Sequence, residues 1–262
     1  MTGYFANKTL AQRNLLNTTD SLLPTNLINV IYGVKVEGTG LIVQSLNLVS
    51  LLLSTVSGLT GDIALKPDDL LSGFTSLSDG TLVVSINPSR TSKKDDYPPR
   101  LIFLGLSPRT VTVTGLKDKK YVLRDILGTN GGSLVGLVSK SNGTPPVKLA
   151  SIDTRTGELD IIDSFPGNQR VRNLAESPNG TIYTTAVDKD GNTVLGNKQL
   201  VLNNNNWVSG LKGLVSSSSS EFYGLGSTRY GLTNYLYKID ATTGKMTQLR
   251  EFPVNKMTLI RV

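Results

Sequence analysis

Apolar and polar residues alternate along short segments of this chain, and two of these segments are near copies of each other. One copy runs from Lys148 to Pro166 and the other from Tyr235 to Pro253. In both, the alternation leads into Ile-Asp, a Thr-Gly pair follows, and the alternation then resumes. A period of two is the pattern of a β-strand, and a short break that ends in Gly is typical of a hairpin. Each copy is therefore predicted to be a strand, a tight turn and a return strand.

The aspartates that open the two turns, Asp153 and Asp240, could be catalytic acids or structural parts of the turn. A carboxylate in this position accepts hydrogen bonds from the backbone amides of the turn, and Gly supplies the positive φ that closes it. The same residue at the same place in both copies favours the structural interpretation. We do not assign either aspartate to catalysis.

Three weaker copies of this unit account for most of the remaining chain. The Leu residues that open the copies are spaced by 60, 48, 51 and 36 residues; they are Leu41, Leu101, Leu149, Leu200 and Leu236. Strand-only repeats of roughly 40 to 50 residues predict the blades of a β-propeller. The fold class is therefore all-β, with five four-stranded blades whose strands we label a to d from inside to outside. Six blades is the alternative, if Tyr4 to Leu16 forms strands of its own.

The first unit, which begins near Leu27, has candidates for strands b, c and d but no inner strand a. The segment Met257 to Val262 follows Pro253 at the offset where the next inner strand would begin. We expect this C-terminal strand to complete the N-terminal blade, because that closure removes the last open sheet edge. Residues 1–21 are predicted to be an N-terminal arm and residues 22–262 a single propeller domain.

The hairpin pattern Leu-Tyr-x-Ile-Asp-x-x-Thr-Gly, which begins at Leu236, resembles that of small bacterial-type β-propellers. The specific part of the resemblance covers about two of the five predicted blades. The Trp-Asp and Gly-His signatures of WD40 blades and the double Gly of kelch blades are absent. The resemblance implies the propeller fold and no particular activity, since propellers include lectins, lyases, hydrolases and scaffolds.

The 262 residues include no Cys and no His. The lack of Cys excludes disulfides and thiol catalysis. The lack of His removes the usual general base and the commonest ligand of zinc, copper and iron. Any catalysis by this chain would have to use carboxylates, Tyr, Lys, Arg or an external cofactor, and we predict no cofactor other than the calcium ion considered below.

Basic residues are concentrated in one part of a chain whose net charge is +7. Between residues 90 and 125, nine basic and four acidic residues give +5 of that total. Six of the basic residues fall in the b–c loop of the second blade or in the following d–a connection: Arg90, Lys93, Lys94, Lys117, Lys119 and Lys120. In an up-and-down blade these two connections emerge on the same face, where Arg170, Arg172 and Arg229 are expected to join them.

A convergent basic face of this kind attracts anionic partners. The favoured interpretation of the charges alone is a solvated rim that aids solubility, and the alternative is a surface that binds a glycan, an anionic polymer or an acidic protein surface. Few aromatic residues interleave the charges, which argues against a stacking platform for single-stranded nucleic acid. We expect no sequence-specific nucleic-acid recognition.

Four ionisable residues fall on the predicted inner strands and could line the channel: Arg124, Arg172, Glu176 and Arg261. Glu176 and Arg172 are the candidates for catalysis, because a nearby cation can tune the pKa of a carboxyl group. No second carboxylate is evident that would pair with Glu176 for glycoside hydrolysis. The sequence favours a non-catalytic binding or scaffold propeller. The alternative is a His-free polysaccharide lyase or hydrolase acting at the channel mouth.

The segment Asn203 to Trp207 replaces the Asp-x-x-Thr-Gly turn in the fourth unit, between strands predicted at Gln199–Leu202 and Trp207–Leu211. Trp207 is the only Trp, and it is predicted to begin an outer strand. Its side chain could stack on a sugar beside the amides of the Asn run, as in carbohydrate-binding proteins, or it could simply pack against a neighbouring strand.

Asp188, Asp190 and Asn192 resemble the first half of a calcium-binding loop, in which oxygen ligands alternate around a Gly turn. No acidic residue follows at the spacing that completes an EF-hand, and Asp-Gly-Asn is also an ordinary hairpin turn. Calcium is the one metal the sequence suggests, and a plain turn is the favoured interpretation.

Residues 1–20 show no basic segment followed by an apolar one, so no signal peptide is visible in this chain. The longest apolar run, Leu46 to Leu53, is too short to span a membrane, and we expect no membrane insertion. Abundant Asn, Ser and Thr with no Cys suit a bacterial extracytoplasmic protein, but these features do not assign a compartment.

Overall fold

A computed structural model describes residues 29–59, 63, 65–67, 69–88, 98–116, 121–165, 169–196, 199–203, 208–228 and 233–260. Twenty strands lie within these residues and form five antiparallel sheets of four strands. The predicted five-bladed β-propeller is confirmed. The predicted N-terminal arm, and the Tyr4–Leu16 segment on which a sixth blade depended, lie outside the described residues.

Each blade is one sheet, whose strands follow one another from the channel outward. Blade 1 consists of β20 (Lys256–Leu259), β1 (Val30–Glu37), β2 (Gly40–Asn47) and β3 (Leu53–Val56). Blade 2 consists of β4 (Leu70–Ser76), β5 (Leu82–Asn87), β6 (Arg100–Phe103) and β7 (Arg109–Thr112). Blade 3 consists of β8 (Tyr121–Gly128), β9 (Leu134–Lys140), β10 (Lys148–Ile152) and β11 (Leu159–Ser164).

The last two blades are continuous in the chain in the same way. Blade 4 consists of β12 (Arg170–Glu176), β13 (Ile182–Val187), β14 (Thr193–Leu195) and β15 (Leu200–Val201). Blade 5 consists of β16 (Val208–Ser216), β17 (Glu221–Thr228), β18 (Asn234–Asp240) and β19 (Met246–Glu251). The described part of the chain contains no helix long and apolar enough to cross a membrane.

The C-terminal strand closes the ring, as the sequence predicted. Strand β20 is the innermost strand of blade 1 and pairs with β1 from Ile31–Leu259 to Val34–Lys256. Its apolar residues lie in a cluster with residues of blade 5, and Ser76 Oγ of blade 2 donates to the Leu259 carbonyl oxygen at 3.0 Å. The closing strand therefore joins the first blade to both of its neighbours.

The hydrophobic core is divided among the blade interfaces. Five buried clusters fill the contacts between blades 1 and 2, 2 and 3, 3 and 4, 4 and 5, and 5 and 1. This distribution follows from the alternation along each strand, because the two faces of a blade pack against different neighbours. Every blade is thus stabilised from both sides.

The fourth blade differs from its prediction. Its c and d strands are the short segments β14 and β15, whereas residues 208–211, predicted to be an outer strand, begin the inner strand of blade 5. The prediction was wrong because β14 and β15 span only three and two residues, too few for alternation to show. Trp207 itself lies outside the described residues.

The twin hairpins form the c–d turns of blades 3 and 5, and their aspartates brace them. Asp153 Oδ1 accepts from the amides of Arg155 and Thr156 at 2.8 and 2.7 Å, and Asp240 Oδ1 accepts from those of Thr242 and Thr243 at 2.7 and 3.2 Å. These amide bonds hold the pKa of each carboxyl below its usual value. The structural interpretation of both aspartates is therefore supported.

The same turns contact the outer edge of the preceding blade. Thr114 donates its amide to the Gly157 carbonyl oxygen at 2.9 Å, and Asn203 makes the equivalent bond to Gly244 at 3.0 Å. Gly157 and Gly244 have φ values of 76° and 75°, and a Cβ on either would lie about 2 Å from a backbone oxygen of that preceding blade. Glycine is needed in both turns for conformation and for space.

Candidate basic cavity at the channel mouth

A cavity of about 370 Å3 lies where the inner strands of blades 3, 4, 5 and 1 meet. Its lining includes residues from the first halves of those strands and from the loop between β9 and β10, where Asn142 and Gly143 lie. Inner strands begin on the face that carries the b–c and d–a connections. The cavity is therefore the channel mouth on the face where the sequence analysis placed a basic surface.

Five cationic side chains line this cavity, and no acidic one does among the described residues: Arg124, Arg170, Arg172, Lys212 and Lys256. They come from four different blades. Arg124, Arg170 and Arg172 were predicted from the sequence for this face or the channel, whereas Lys212 and Lys256 were not. Arg229 and Arg261, which were also predicted there, lie outside the described residues.

A β-bulge repeated in four inner strands explains how the cations reach the channel. Strands β4, β8, β12 and β16 each contain one extra residue at the bulge. The residues on either side of it pair with two consecutive residues of strand b. The extra residues are Ser72, Arg124, Arg172 and Lys212. A bulged residue has no opposite partner in the ladder, and the bulge re-aims its side chain. Lys256, the first residue of β20, lines the same cavity without a bulge.

The bulge has a short sequence pattern that could have identified Lys212. The same four-residue pattern recurs in the four strands. It consists of an apolar residue, the bulged residue, a Gly, Asp or Asn, and a second apolar residue. The four segments are Leu71 to Phe74, Leu123 to Ile126, Val171 to Leu174 and Leu211 to Leu214. Aligning the predicted blades on this pattern, instead of on the Leu of strand c, would have placed three cations at equivalent positions.

Hydrogen bonds hold Arg124 and Lys212 in place. Arg124 Nε donates to Ser139 Oγ at 2.8 Å, and its Nη2 donates to the carbonyl oxygens of Lys140 and Ser141 at 2.7 and 2.9 Å. Lys212 Nζ donates to Asn234 Oδ1 at 2.8 Å. These acceptors are neutral oxygens, and the bonds to them order each side chain.

Arg170 and Arg172 are exposed and, within the described part of the chain, make no hydrogen bond or ion pair. Arg172 lies against Gly210, where a Cβ would be 3.0 Å from Nη1. Each guanidinium group carries five N–H donors, and no described residue accepts from them.

One acidic residue lies beneath the cations. Asp125 is buried, its Oδ1 lies 3.7 Å from Lys256 Nζ, and its Oδ2 accepts from the Leu174 amide at 2.9 Å. The pair crosses the channel, since Asp125 belongs to blade 3 and Lys256 to blade 1. Burial raises the pKa of Asp125 to about 6, against the opposing effects of Lys256 and of the Leu174 amide.

The raised pKa of Asp125 predicts a pH dependence of stability. The folded state favours protonated Asp125. The stability that this preference contributes is fully present below the unfolded pKa near 3.8 and is lost as the pH rises through about 6. As the pH rises between these two values, the free energy of unfolding of the wild type should fall by on the order of 3 kcal/mol relative to that of Asp125→Asn. Urea unfolding at pH 4 and pH 7 measures this difference, and parallel pH profiles for the two proteins would contradict the assignment.

Glu176, the catalytic candidate, lies at the other end of β12 from the cavity. It follows Arg172 by four positions, which places the two Cα atoms about 13 Å apart along the strand. Its side chain is buried, and its Oε2 accepts from the Asn130 amide at 2.6 Å. Arg172 lines the cavity and Glu176 does not. A catalytic role for this pair stays a prediction.

The remaining binding candidates lie outside the described residues: Arg90, Lys93, Lys94, Lys117, Lys119, Lys120 and Trp207. The segments that carry the six basic residues connect β5 to β6 and β7 to β8. The basic face formed by these six residues stays a prediction.

The candidate calcium loop is the turn between β13 and β14. Asp188 Oδ1 accepts from the amides of Asp190 and Asn192 at 2.9 and 2.8 Å, and its Oδ2 accepts from Asn192 Nδ2 at 3.1 Å. The Asn192 side chain and these amides hold the pKa of Asp188 below its usual value. No group of three or more acidic residues in the described ranges is arranged to hold a metal ion. Calcium binding here stays a prediction, and the bonds formed are those of a turn.

A comparison with protein-family models gives no match, and a comparison with curated proteins gives none either. Among solved structures, a mutant of AofleA from Arthrobotrys oligospora has a TM-score of 0.53 at 10% identity, and the match covers 88% of this chain and 72% of that one. Dipeptidyl peptidase 4 from Porphyromonas gingivalis has a TM-score of 0.38 at 14% identity, covering 84% and 39%. TolB from Acinetobacter baumannii has 0.42 at 13%, covering 90% and 56%.

This chain thus spans less than two thirds of the peptidase and of TolB. At such low identities these similarities concern the fold alone, because the same propeller architecture carries unrelated functions.

Proposed function

We propose that this protein is a binding propeller and that its ligand is an anion held at the channel mouth. The observation that carries this proposal is the convergence of five cationic side chains on one cavity whose described lining has no acid. Like charges at close range repel one another, so such a cluster is costly unless an anion offsets it. The cluster is more one-sided than the chain as a whole, which has 27 basic and 20 acidic residues.

The state of the individual cations supports the same conclusion. Arg124 and Lys212 are fixed by neutral oxygen acceptors, so their side chains are ordered before any ligand arrives. Arg170 and Arg172 line the cavity and are exposed, and no described residue accepts a hydrogen bond from either. Prior ordering lowers the entropic cost of binding, and planar guanidinium groups bind carboxylate, sulfate or phosphate through paired hydrogen bonds.

The alternative is a His-free lyase or hydrolase that uses Arg172 with Glu176. Its support is that Arg172 does line a cavity at the channel mouth. A general acid or base must reach the reacting group within hydrogen-bond distance, and Glu176 lies at the far end of the strand. Binding is therefore the function we favour.

The test is a pair of charge-matched double variants. Arg170→Gln with Arg172→Gln removes two exposed cations from the cavity, and Arg155→Gln with Lys245→Gln removes two exposed cations from c–d turns on the opposite face. We expect the cavity variant to lose at least tenfold in affinity for heparin, measured by titration calorimetry at low salt, and the control variant to change by less than threefold. Equal losses in the two variants would contradict the proposal.

Glu176→Gln separates the two functions. We expect it to leave heparin affinity unchanged, because Glu176 lies outside the cavity. If wild type depolymerised heparin or a uronic-acid polysaccharide and Glu176→Gln abolished that turnover at unchanged affinity, the catalytic alternative would replace the binding proposal.

A further inference from the structure

The cavity cations form a ring. Arg124, Arg172, Lys212 and Lys256 belong to blades 3, 4, 5 and 1, and each extends from an inner strand beside the channel. Inner strands of a propeller surround its axis, so these four charges approach a common centre from different sides. Arg170 adds a fifth charge two residues before Arg172. A ring differs from the stripe of charges that would follow the backbone of an extended polymer.

The space inside the ring is small. Its volume of about 370 Å3 lies near the lower limit of small-molecule sites, roughly 300 to 1,000 Å3. Beneath it, the Asp125–Lys256 pair crosses the channel, with side chains only 7% and 13% exposed.

The charge inside the ring is a second constraint on the ligand. Among the described residues five cations line the cavity, and Asp125 lies within ion-pair distance of one of them, Lys256, so positive charge is in excess. Only a ligand with several negative charges in a small volume offsets this charge. A single carboxylate or phosphate would engage one side of the ring and leave the remaining cations unneutralised.

Resting on the proposed function, we infer that the ligand is a compact polyanion: a small soluble molecule with several phosphate or sulfate groups on one core, held inside the ring of Arg124, Arg172, Lys212 and Lys256. The arginines bind oxyanions through paired donors, and the lysines act as point charges that tolerate different oxyanion orientations. Matching charge from several sides selects a core that presents its anionic groups in several directions.

The experiment compares four probes by titration calorimetry at about 0.15 M salt, where interactions between exposed charges are largely screened: inorganic phosphate, tripolyphosphate, inositol hexakisphosphate and heparin. We expect the two compact polyanions to bind at a stoichiometry of one and at least a hundredfold tighter than inorganic phosphate. In Arg172→Gln with Lys212→Gln, which removes charges from two sides of the ring, their affinity should fall at least thirtyfold. The control Arg155→Gln with Lys245→Gln should bind them within threefold of wild type.

The outcomes separate this inference from the proposed function. If heparin binding depends on the cavity cations but neither compact polyanion binds, the ligand-class inference fails and anion binding stands. If no probe responds to the loss of cavity cations, both fail. Vesicles that carry phosphatidylinositol bisphosphate form a further arm, and binding to such vesicles without binding to the soluble probes would overturn the inference.

Discussion

Deleting residues 256–262 is expected to unfold the entire domain, or to lower its melting temperature by roughly 15 °C or more in a single transition. The deletion removes β20, exposes the edge of β1 and uncovers Ile31, which is fully buried in the cluster between blades 5 and 1. It also breaks the contact to blade 2 through Ser76 and leaves Asp125 without Lys256. Because each blade is stabilised from both sides, the loss should spread around the ring. Calorimetric melting measures it.

A point substitution tests the same closure in a protein that still folds. Met257 is 3% exposed, and Met257→Ala should cost about 2 to 5 kcal/mol, the usual cost of a large-to-small change in a core. The control is Val49→Ala, at a side chain that is 78% exposed, with an expected effect within about 0.5 kcal/mol. Unchanged melting of the truncated chain, or equal effects of the two point variants, would show that β20 does not close the ring.

Replacing Gly157 by Ala is expected to destabilise the protein by roughly 3 kcal/mol or more. One part of the cost is conformational: Gly157 has a φ of 76°, and an L-residue there loses about 1 to 2 kcal/mol. The larger part is steric, since the added Cβ would lie 2.0 Å from the Thr112 carbonyl oxygen. Relieving that overlap must move the turn away from blade 2 and strain its bonds to Thr114. Urea unfolding gives the free energy directly.

Gly191→Ala is the matched control for this prediction. Gly191 has a similar φ of 85° in the turn between β13 and β14, but nothing lies within 4 Å of the position of its Cβ. Its loss should be limited to the conformational part, about 1 to 2 kcal/mol. Gly244→Ala should behave like Gly157→Ala, because its Cβ would lie 2.1 Å from the Val201 carbonyl oxygen. If all three variants lost the same free energy, the turns would not be packed against the preceding blades.

The propeller could be predicted from the sequence because its main determinants are local. Alternation into Ile152 and Ile239, with the Asp and Gly of each turn, marks the two best hairpins, and counting their weaker copies yields the blade number. Closure followed from the position of Met257 after Pro253, although β20 begins one residue earlier, at Lys256. The prediction of the outer strands of blade 4 was wrong because strands of three and two residues are too short to show a period.

The site was less predictable because it depends on an irregularity. Alternation assigns every residue of a strand to one of two faces, and a bulge interrupts that assignment. In the sequence, Lys212 is one more polar residue of its segment. The two register shifts of that strand are seen only in the structure. Lys256 was missed because the predicted strand began after it. Arg124 and Arg172 were found as ionisable residues of inner strands, but their convergence with Lys212 and Lys256 depends on packing between blades that are distant in sequence.

The repeated bulge also separates the residues that can vary from those that cannot. A residue such as Arg172, which has no opposite partner in the ladder, is free of the pairing constraints on Val171 and Asn173 beside it. Substitutions at the bulged positions could therefore alter which ligands a propeller of this architecture accepts while its sheets stay the same. Arg124, Arg172 and Lys212 occupy such positions in the cavity lining, whereas Ser72 of blade 2 is buried and hydrogen-bonded to Ser85, so three of the four bulged blades supply an adjustable position.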